Sequence, residues 1–511
     1  DPYQIETAEQ LNAIRNYLHA NFVQIEDINL DASPWNENEG WVPIGSYSNP
    51  FRGTFDGDNY NITGLTINRP TERYQGLFGV TNTGASLSNI KMESPDILAD
   101  EYIGSLVGIN GANIINCSAI NVDIKGDESY VGGLLGQNTG AISNSFTTGM
   151  VKADYSTVGG LIGYNYNNVG LGYIASVQNC YSEANVSYYM ITNNELESAG
   201  GLVGYNSGGT ISDSYAIGDV TAHESAGGLV GENFQGIISN CFALGNVIGV
   251  SDYNGYTSYY VGGLVGENGY MSQILNSFSE GLVSGYHNVG GLVGYNSSVI
   301  ENSRSSSIAS GYDKIGGLVG DNSGTIINSN ANGNVSGSSY LGGLAGYSSY
   351  GVIQGCYSTG NVTGGATAGG LMGSIQTSTV INSYATGNVI GSGEVGGLSG
   401  YVSVSARIEN CYSVGTVSGT GSLGGLVGAI YDIPSDPDKK GLVINSYYNQ
   451  ETSGRSDNTK GTPLTTANML LESSYVSWDF INNWVIEEGI SYPYLRDNIQ
   501  SPKPQPSIID K

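Results

Sequence analysis

Residues 227–247 read GGLVGENFQGIISNCFALGNV, and they decide the fold because the same three signatures return along most of the chain. The first is Gly-Leu-x-Gly, the second is Asn-(Ser/Cys)-(Tyr/Phe) two positions after an apolar residue, and the third is Gly-x-Val. The leucine of the first signature recurs at Leu77, Leu134, Leu161, Leu202, Leu229, Leu264, Leu292, Leu318, Leu344, Leu371, Leu398 and Leu426. A spacing of mostly about 27 residues indicates stacked structural units rather than separate globular domains.

Each repeat holds two or three short apolar stretches separated by glycine and asparagine, which is the composition of strands joined by tight turns. One repeat has too little apolar surface to fold alone. Stacking equivalent strands ~4.8 Å apart pairs the backbone of each repeat with the next and builds one interior. The sequence therefore predicts an all-β chain, a right-handed parallel β-helix (solenoid) of about 13 coils.

The chain divides by composition into four predicted segments: an N-terminal cap with the first strands at 1–74, the repeats at 75–448, a C-terminal cap at 449–496 and a proline-rich tail or linker at 497–511. Two longer spacings between leucines predict surface insertions, around 188–197 and 251–259.

Both ends of a stack of strands need cover, because an open strand edge invites aggregation. At the front, the residues from Thr7 to Gln10 match a capping box and predict a short helix. At the back, residues 465–471 are predicted to form a second helix, with Trp478 and Trp484 sealing the last coil.

The charge of the chain limits its partners. Its 45 acids against 17 bases give a net charge of −28, which repels nucleic acid and anionic lipid surfaces. The sequence has no apolar run of membrane-spanning length. A chain that begins at Asp1-Pro2 is what a trimmed, secreted protein would show, so we expect a secreted or cell-surface location.

The three signatures together resemble the GLUG-motif repeat family, and the resemblance covers residues 75–448. The flanks are similar to those of the family too, at Trp41–Gly45 and Phe51–Gly57 in front and at Trp478–Phe480 and Tyr492–Leu495 behind. The resemblance implies a β-solenoid of a bacterial or archaeal surface protein. It implies no particular activity, because the family's roles vary and the repeat carries no catalytic signature.

The five cysteines all occupy the second position of the Asn-(Ser/Cys)-(Tyr/Phe) signature, and they never fall in neighbouring repeats. Two coils apart is ~9.6 Å, beyond the ~7 Å that a disulfide allows between Cα atoms. We therefore predict five free, buried thiols and no disulfide. The asparagines of the same signature are predicted to form a ladder of stacked amides in a left-handed turn. The aromatic residues that follow are predicted to stack for stability.

The position after Gly-Leu-x-Gly is the candidate site. If the leucine points inward, this residue points outward. The row consists of Tyr164, Tyr205, Glu232, Glu267, Tyr295, Asp321, Tyr347 and Tyr401. Tyrosines beside acids and amides are suited to binding sugars, whereas the plain alternative is a solvated strand face rich in good strand formers.

Glu232 and Glu267 fall in consecutive repeats, so their carboxylates are expected about one strand spacing apart. Such a pair is the best candidate for a glycosidase acid and nucleophile, and it is also a candidate Ca²⁺ site. No other cofactor or metal site is expected. The bases Lys125, Lys152, Arg304 and Lys314 are not expected at one register of adjacent coils, which disfavours a polysaccharide lyase.

The favoured function is an extracellular or cell-surface structural or adhesive module. It would present a rigid repeat face to a cell-surface glycan or to other copies of itself, as a sheath, filament or adhesin stalk. A polysaccharide hydrolase or lyase is the alternative. Asn185, Asn334 and Asn361 are the surface glycosylation sequons, used only if the host glycosylates.

Overall fold

One coil shows how the repeat folds. Its chain runs through the strands Ser225–Gly227, Val230–Phe234, Ile237–Ser239, Phe242–Ala243 and Val247–Gly249, which belong to four different sheets. We name these sheets first to fourth in that order; the last two strands share the fourth sheet. Every strand of this coil pairs in parallel with the equivalent strand of the preceding coil, as in Val203 with Val230.

The computed structural model describes residues 1–155, 157–168, 170, 172, 174–188, 198–250, 258–431 and 439–506. The chain forms two units, Asp1–Ser258 with Leu264–Ser272 and Tyr259–Gly263 with Gln273–Lys511. Each unit is a parallel β-helix, so the predicted fold class is confirmed; the handedness and the number of coils stay predictions. Most of the two predicted insertions lies outside the described residues.

In the first unit, the first sheet contains Val131–Gly132, Val158–Gly159, Ser198–Gly200 and Ser225–Gly227. The second contains Phe78–Val80, Val107–Asn110, Leu135–Asn138, Ile162–Tyr166, Val203–Ser207, Val230–Phe234 and Val265–Asn268. The third contains Tyr3–Ile5, Asn21–Gln24, Thr54–Asp56, Ser86–Ser88, Asn113–Ile115, Ala141–Ser143, Ser176–Gln178, Thr210–Ser212 and Ile237–Ser239. The fourth contains Ile28–Asn29, Asn61–Thr63, Thr66–Arg69, Lys91–Glu93, Asp96–Ala99, Ser118–Glu128, Phe146–Tyr155, Tyr181–Ser182, Asn185–Tyr188, Tyr215–Ala216, Val220–Ala222, Phe242–Ala243 and Val247–Gly249.

In the second unit, the first sheet contains Tyr260–Gly262, His287–Gly290, Asp313–Gly316, Leu341–Gly342, Thr367–Gly369, Glu394–Gly396 and Ser422–Gly424. The second contains Val293–Asn296, Val319–Asn322, Ala345–Ser349, Met372–Gln376, Ser399–Val402 and Val427–Ile430. The third contains Gln273–Leu275, Val299–Glu301, Thr325–Ile327, Val352–Gln354, Thr379–Ile381, Arg407–Glu409 and Leu442–Ile444. The fourth contains Phe278–Ser279, Leu282–Ser284, Arg304–Ser305, Ile308–Gly311, Asn330–Ala331, Val335–Gly337, Tyr357–Ser358, Val362–Gly364, Tyr384–Ala385, Val389–Gly391, Tyr412–Ser413, Val417–Gly419, Tyr447–Asn449 and Thr462–Leu464.

The glycines of Gly-Leu-x-Gly are fixed by the close approach of neighbouring coils. A Cβ added at Gly201 would lie 2.1 Å from the carbonyl oxygen of Gly228, and one at Gly204 would lie 2.7 Å from that of Gly163. The leucine between them, Leu202, is fully buried. The signature therefore combines an inward apolar side chain with two positions where only a hydrogen atom fits.

We predict that Gly201→Ala lowers the free energy of unfolding by about 3 kcal/mol. The added methyl group meets backbone of the next coil, which cannot move without breaking the backbone hydrogen bonds between the two coils. Gly269→Ala is the control, because the nearest atom to its added Cβ is 3.4 Å away. Chemical denaturation of both variants checks this, and equal destabilisation by the two would contradict it.

A buried asparagine ladder runs through the first unit at the position after the outward row. The Nδ2 atom of each asparagine donates to the Oδ1 atom of the next coil's asparagine at 2.8 to 3.0 Å, through Asn110, Asn138, Asn165, Asn206, Asn233 and Asn268. All six side chains are fully buried. In the second unit Asn296 donates in the same way to Asn322 at 2.8 Å. The buried amides are thus satisfied by one another.

The predicted asparagine ladder lies elsewhere and differs from this one. Asn89, Asn116 and Asn240 have the expected left-handed backbone, with φ of 54°, 55° and 55°. Asn116 donates to Asn89 at 2.7 Å, but its side chain is exposed. The asparagines of the Asn-(Ser/Cys)-(Tyr/Phe) signature therefore provide the left-handed backbone of an exposed turn. The buried chain of hydrogen bonds is formed by other asparagines, those of Gly-Leu-x-Gly-x-Asn.

We expect Asn206→Ala to destabilise the protein by about 3 kcal/mol, because the buried Nδ2 of Asn165 loses its acceptor and the buried Oδ1 of Asn233 loses its donor. Asn185→Ala removes an exposed amide and is expected to cost less than ~1 kcal/mol. Chemical denaturation of both variants measures the difference. Similar midpoints would mean that the buried asparagine ladder does not stabilise the fold.

All five cysteines are free and buried. Burial raises the pKa of Cys117, Cys180, Cys241, Cys356 and Cys411 to about 12, so the thiols stay protonated. Their backbone is tied to the serine of the same slot in the next coil: the N–H of Cys117 donates to Ser145 Oγ at 3.0 Å.

The N-terminal helix spans Ala8–Ala13, and Thr7 caps it by accepting from the N–H of Gln10 at 3.3 Å. Gln10 in turn accepts from the N–H of Glu6, so the predicted capping box is present with its return bond shifted by one residue. A 3-10 turn at Ile14–Asn16 follows.

The C-terminal residues pack on the side of the second unit. Its helices are Gln450–Ser453 and Thr466–Met469, with a 3-10 turn at Glu472–Ser474 and an antiparallel pair, Trp484–Val485 with Tyr494–Leu495. The expectation that Trp478 and Trp484 seal the last coil is too narrow: the Trp484 ring lies 6.1 Å from Tyr384 and 6.0 Å from Tyr412, rings of two earlier coils. In the predicted tail, Asn498 donates to the carbonyl of Gly355 at 2.9 Å.

Candidate functional site

The predicted outward row is a true column within each unit. In the first unit Tyr164, Tyr205, Glu232 and Glu267 are successive register partners along the second sheet. In the second unit the column runs through Tyr295, Asp321, Tyr347, Ser374 and Tyr401. Sequence spacing therefore located the column correctly.

The first two tyrosine rings of this column, those of Tyr164 and Tyr205, stack on one another. The rings of Tyr164 and Tyr205 are 5.3 Å apart and 7° from parallel, and Tyr130 stacks on the other face of Tyr164 at 4.6 Å. The side chains of Tyr164 and Tyr205 are both half-buried. The expected grip on a sugar through free ring faces is therefore unavailable at Tyr164, and what the stack presents is ring edges and hydroxyl groups.

Three residues of this stack were missed from the sequence. Tyr74, Tyr102 and Tyr130 precede the glycines of their repeats and continue the row of rings in tilted contacts, at 5.3 Å and 31° and at 5.4 Å and 56° between neighbouring rings. Each has a left-handed backbone, with φ of 65°, 54° and 55°. Their signal in the sequence is a tyrosine two residues before the first glycine of the repeat, as in Tyr74-Gln75-Gly76.

The stack ends at the two carboxylates. Burial raises the pKa of Glu232 to about 7, and repulsion by Glu267 adds to the effect. Burial also raises the pKa of Glu267. The proximity of Glu232 in turn contributes to raising the pKa of Tyr205 to about 12, after the larger effect of burial. Near neutral pH, Glu232 can therefore donate a hydrogen bond or a proton.

The raised pKa makes Glu232 a pH-dependent cost to stability. The pKa of Glu232 is higher in the folded than in the unfolded protein, so folding favours its protonated form. The stability associated with that protonated form is fully present below about pH 4 and is lost as the pH rises through about 7. We predict that Glu232→Gln stabilises the protein by about 1–2 kcal/mol at about pH 8, allowing for partial exposure, and has no effect at about pH 4. Glu183→Gln changes an exposed acid and is the control. Denaturation at both pH values checks this; a pH-independent effect would contradict it.

Asp321 differs from the expectation for the row. It is only 8% exposed, and Lys314 Nζ lies 2.7 Å from its carboxylate. The same ammonium group lies 4.9 Å from the centre of the Tyr347 ring. Because Lys314 covers it, Asp321 is an internal partner of a lysine and not an exposed binding group.

The remaining predicted residues keep their places. Asn185, Asn334 and Asn361 are exposed, and the Oδ1 of Asn334 accepts from the N–H of Asn361 at 3.0 Å. Use of these sequons stays a prediction. Over the described ranges, no three His, Cys, Asp or Glu side chains come together in a way that could hold a metal ion.

The expectation about the basic residues is wrong for one pair. Lys125 and Lys152 are direct register partners on neighbouring strands of the fourth sheet, since they are one coil apart. Each ammonium group faces an acid: Lys125 lies 2.9 Å from Asp154 and Lys152 lies 3.7 Å from Asp123. The pair is therefore neutralised.

With this geometry established, the chain can be compared with known proteins. The GLUG motif matches residues 99–125, 154–187, 196–221, 222–248, 285–308 and 337–363. The chain therefore carries the GLUG motif six times. The matched ranges lie in both units, and each carries part of the coil described above.

Two curated proteins share part of this GLUG-repeat sequence. "Putative Gly-rich membrane protein" of Evansella cellulosilytica is 39% identical over 123 residues, which are 23% of this chain and 14% of that protein. "Halomucin" of Haloquadratum walsbyi is 32% identical over 145 residues, which are 26% of this chain and 2% of that protein. The chain thus spans a small share of the length of either relative.

Among solved structures, the "putative immunoglobulin A1 protease from Bacteroides ovatus" aligns over 97% of this chain and 93% of its own, at 15% identity and a TM-score of 0.19. In the described part of this GLUG-repeat chain, no helix has the length and apolar character needed to cross a bilayer.

Proposed function

We propose that this chain is a rigid module of a secreted or cell-surface protein, and that it makes repeated weak contacts with a neutral glycan along its second sheet. The observation that carries the proposal is the register column, which places one hydroxyl or carboxyl group per coil at Tyr164, Tyr205, Glu232 and Glu267. The names of the two relatives, a membrane protein and a halomucin, support a surface location.

The geometry favours hydrogen bonding over ring stacking as the mode of contact. Because the ring of Tyr164 is covered on both faces, its polar edge is what a partner would meet. Glu232, with its pKa raised to about 7, can both donate and accept. Groups repeated at the strand spacing of ~4.8 Å suit a linear polymer, which gains affinity by many simultaneous contacts.

Net charge decides between kinds of partner. At −28, the chain repels acidic polysaccharides, and two copies repel each other. A neutral glycan meets no such penalty. Self-assembly into a sheath or filament is therefore the less favoured form of this proposal and would require high salt or divalent cations to screen the charge.

A polysaccharide-acting enzyme is the second candidate, and one observation favours it. Glu232 and Glu267 are direct register partners, and the pKa of Glu232 is raised as an acid catalyst requires. The same pair is the proposed position for Ca²⁺, which would bring the carboxylates together as anions.

The double substitution Glu232→Gln with Glu267→Gln tests the proposal. We expect the wild type to bind neutral polysaccharides in affinity electrophoresis without cleaving them, and the variant to bind about tenfold more weakly. Glu183→Gln with Asp219→Asn makes the same change of charge in the turns of the fourth sheet and is expected to bind like the wild type.

Three outcomes would contradict the proposal or redirect it. Binding of acidic polymers in preference to neutral ones would overturn the charge argument. Cleavage by the wild type that the double substitution abolishes would favour the enzyme. A calcium-dependent rise in Tm that needs both glutamates would assign the pair to the cation.

A further inference from the structure

A second aromatic stack lies on the fourth sheet of the first unit and ends in a free ring face. Phe146, Tyr181, Tyr215 and Phe242 are successive register partners. Their rings are 4.6, 4.9 and 4.8 Å apart and within 4° of parallel. Each inner ring therefore has both faces covered, whereas Phe146, the first ring of the stack, is covered by Tyr181 on one face.

The other face of Phe146 looks onto positions of the column that have no ring. The register partner of Phe146 in the preceding coil is Ser118, and before it come Lys91 and Asn61. The small side chain of Ser118 leaves a pocket of about 300 Å³ beside the phenyl ring. A ligand ring placed above Ser118 would continue the stack by one member.

The walls of this pocket combine apolar and polar groups. Besides Phe146 and Ser118, it is lined by Ile120 and Cys117 and by the polar residues Asn61, Lys91, Glu93, Asn116 and Asn144. Among the described residues, the side chains of Lys91, Glu93 and Asn144 form no hydrogen bond or ion pair. Ammonium, carboxylate and amide groups therefore surround one apolar face and are free to bind a ligand.

This combination identifies the chemistry of the ligand. A pyranose ring has an apolar C–H face that packs on an aromatic face, and hydroxyl groups around its rim that need donors and acceptors. An aromatic side chain of a protein would need apolar walls instead. In the second unit, aromatic side chains of the protein do cover the equivalent column. There the rings of Trp484 and Trp478, stacked 4.4 Å apart, pack against the ring of Tyr412.

We propose that the pocket between Phe146 and Lys91 is a carbohydrate-binding site that holds a single pyranose ring stacked on Phe146. The ring lies over Ser118, with Lys91 and Glu93 on one side of its rim and the amides of Asn116 and Asn144 on the other. The site is on the fourth sheet and uses no residue of the outward row, so it does not depend on the function proposed for that row.

Saturation-transfer NMR and titration calorimetry with methyl β-glucopyranoside, N-acetylglucosamine and glucuronate test the site on the whole chain. A single ring is expected to bind with a Kd on the order of millimolar. Phe146→Ala is expected to weaken binding about tenfold or more. Phe242→Ala removes a ring of the same stack three coils away from the pocket, so it controls for loss of stacking and is expected to bind as the wild type does.

Ser118→Phe is the decisive variant, because its ring fills the pocket and extends the stack. It is expected to keep or raise the Tm of the protein and to abolish binding. Sugar binding that survives Ser118→Phe, or that Phe146→Ala leaves at the wild-type affinity, would overturn the proposal, as would a wild type that binds none of the three sugars. Binding of N-acetyltyrosine amide in place of the sugars would assign the pocket to an aromatic peptide instead. None of these variants alters Glu232 or Glu267, so this site and the outward row are tested separately.

Discussion

The whole structure depends on the parallel pairing of each coil with the next. A coil of short strands cannot satisfy its own backbone groups, so its N–H and C=O groups bond to the coils before and after it. This pairing requires that neighbouring coils approach closely at fixed points, and the glycine pair around Leu202 marks one of them. Once the register is fixed there, every other residue of a coil is placed above its equivalent.

Columns of identical residues have two uses in this fold, and burial decides which. Inside, the asparagines from Asn110 to Asn268 satisfy one another, so a polar group is carried through an apolar interior without an unpaired atom. Outside, rings such as Tyr164 and Tyr205 cover one another. A stack of rings stabilises the fold by hiding its faces, and this same packing leaves only its ends and edges for a ligand.

The columns themselves could be predicted from the sequence, because their spacing equals the length of a coil. Glu232 and Glu267 were placed as neighbours in this way, and the five cysteines were placed in one buried slot of coils that are not neighbours. Features that depend on side-chain direction could not be predicted. Lys314 reaches across to cover Asp321, and Tyr130 leans onto Tyr164 of the next coil, because their left-handed backbone turns the side chains toward the neighbouring column. Nothing in the spacing of the repeats encodes that turn.

The buried asparagine chain has a direction. In every link that the first unit shows, the amide nitrogen points to the following coil and the oxygen to the preceding one. A coil removed from the interior would leave its two neighbours able to bond to each other in the same sense, and an inserted coil would join the chain equally well. Duplication and deletion of whole coils therefore preserve the chain of interior amides, whereas the insertion or loss of one residue within a paired strand would break its register. The length of such a protein can drift in evolution by complete turns while the sequence of each turn stays constrained.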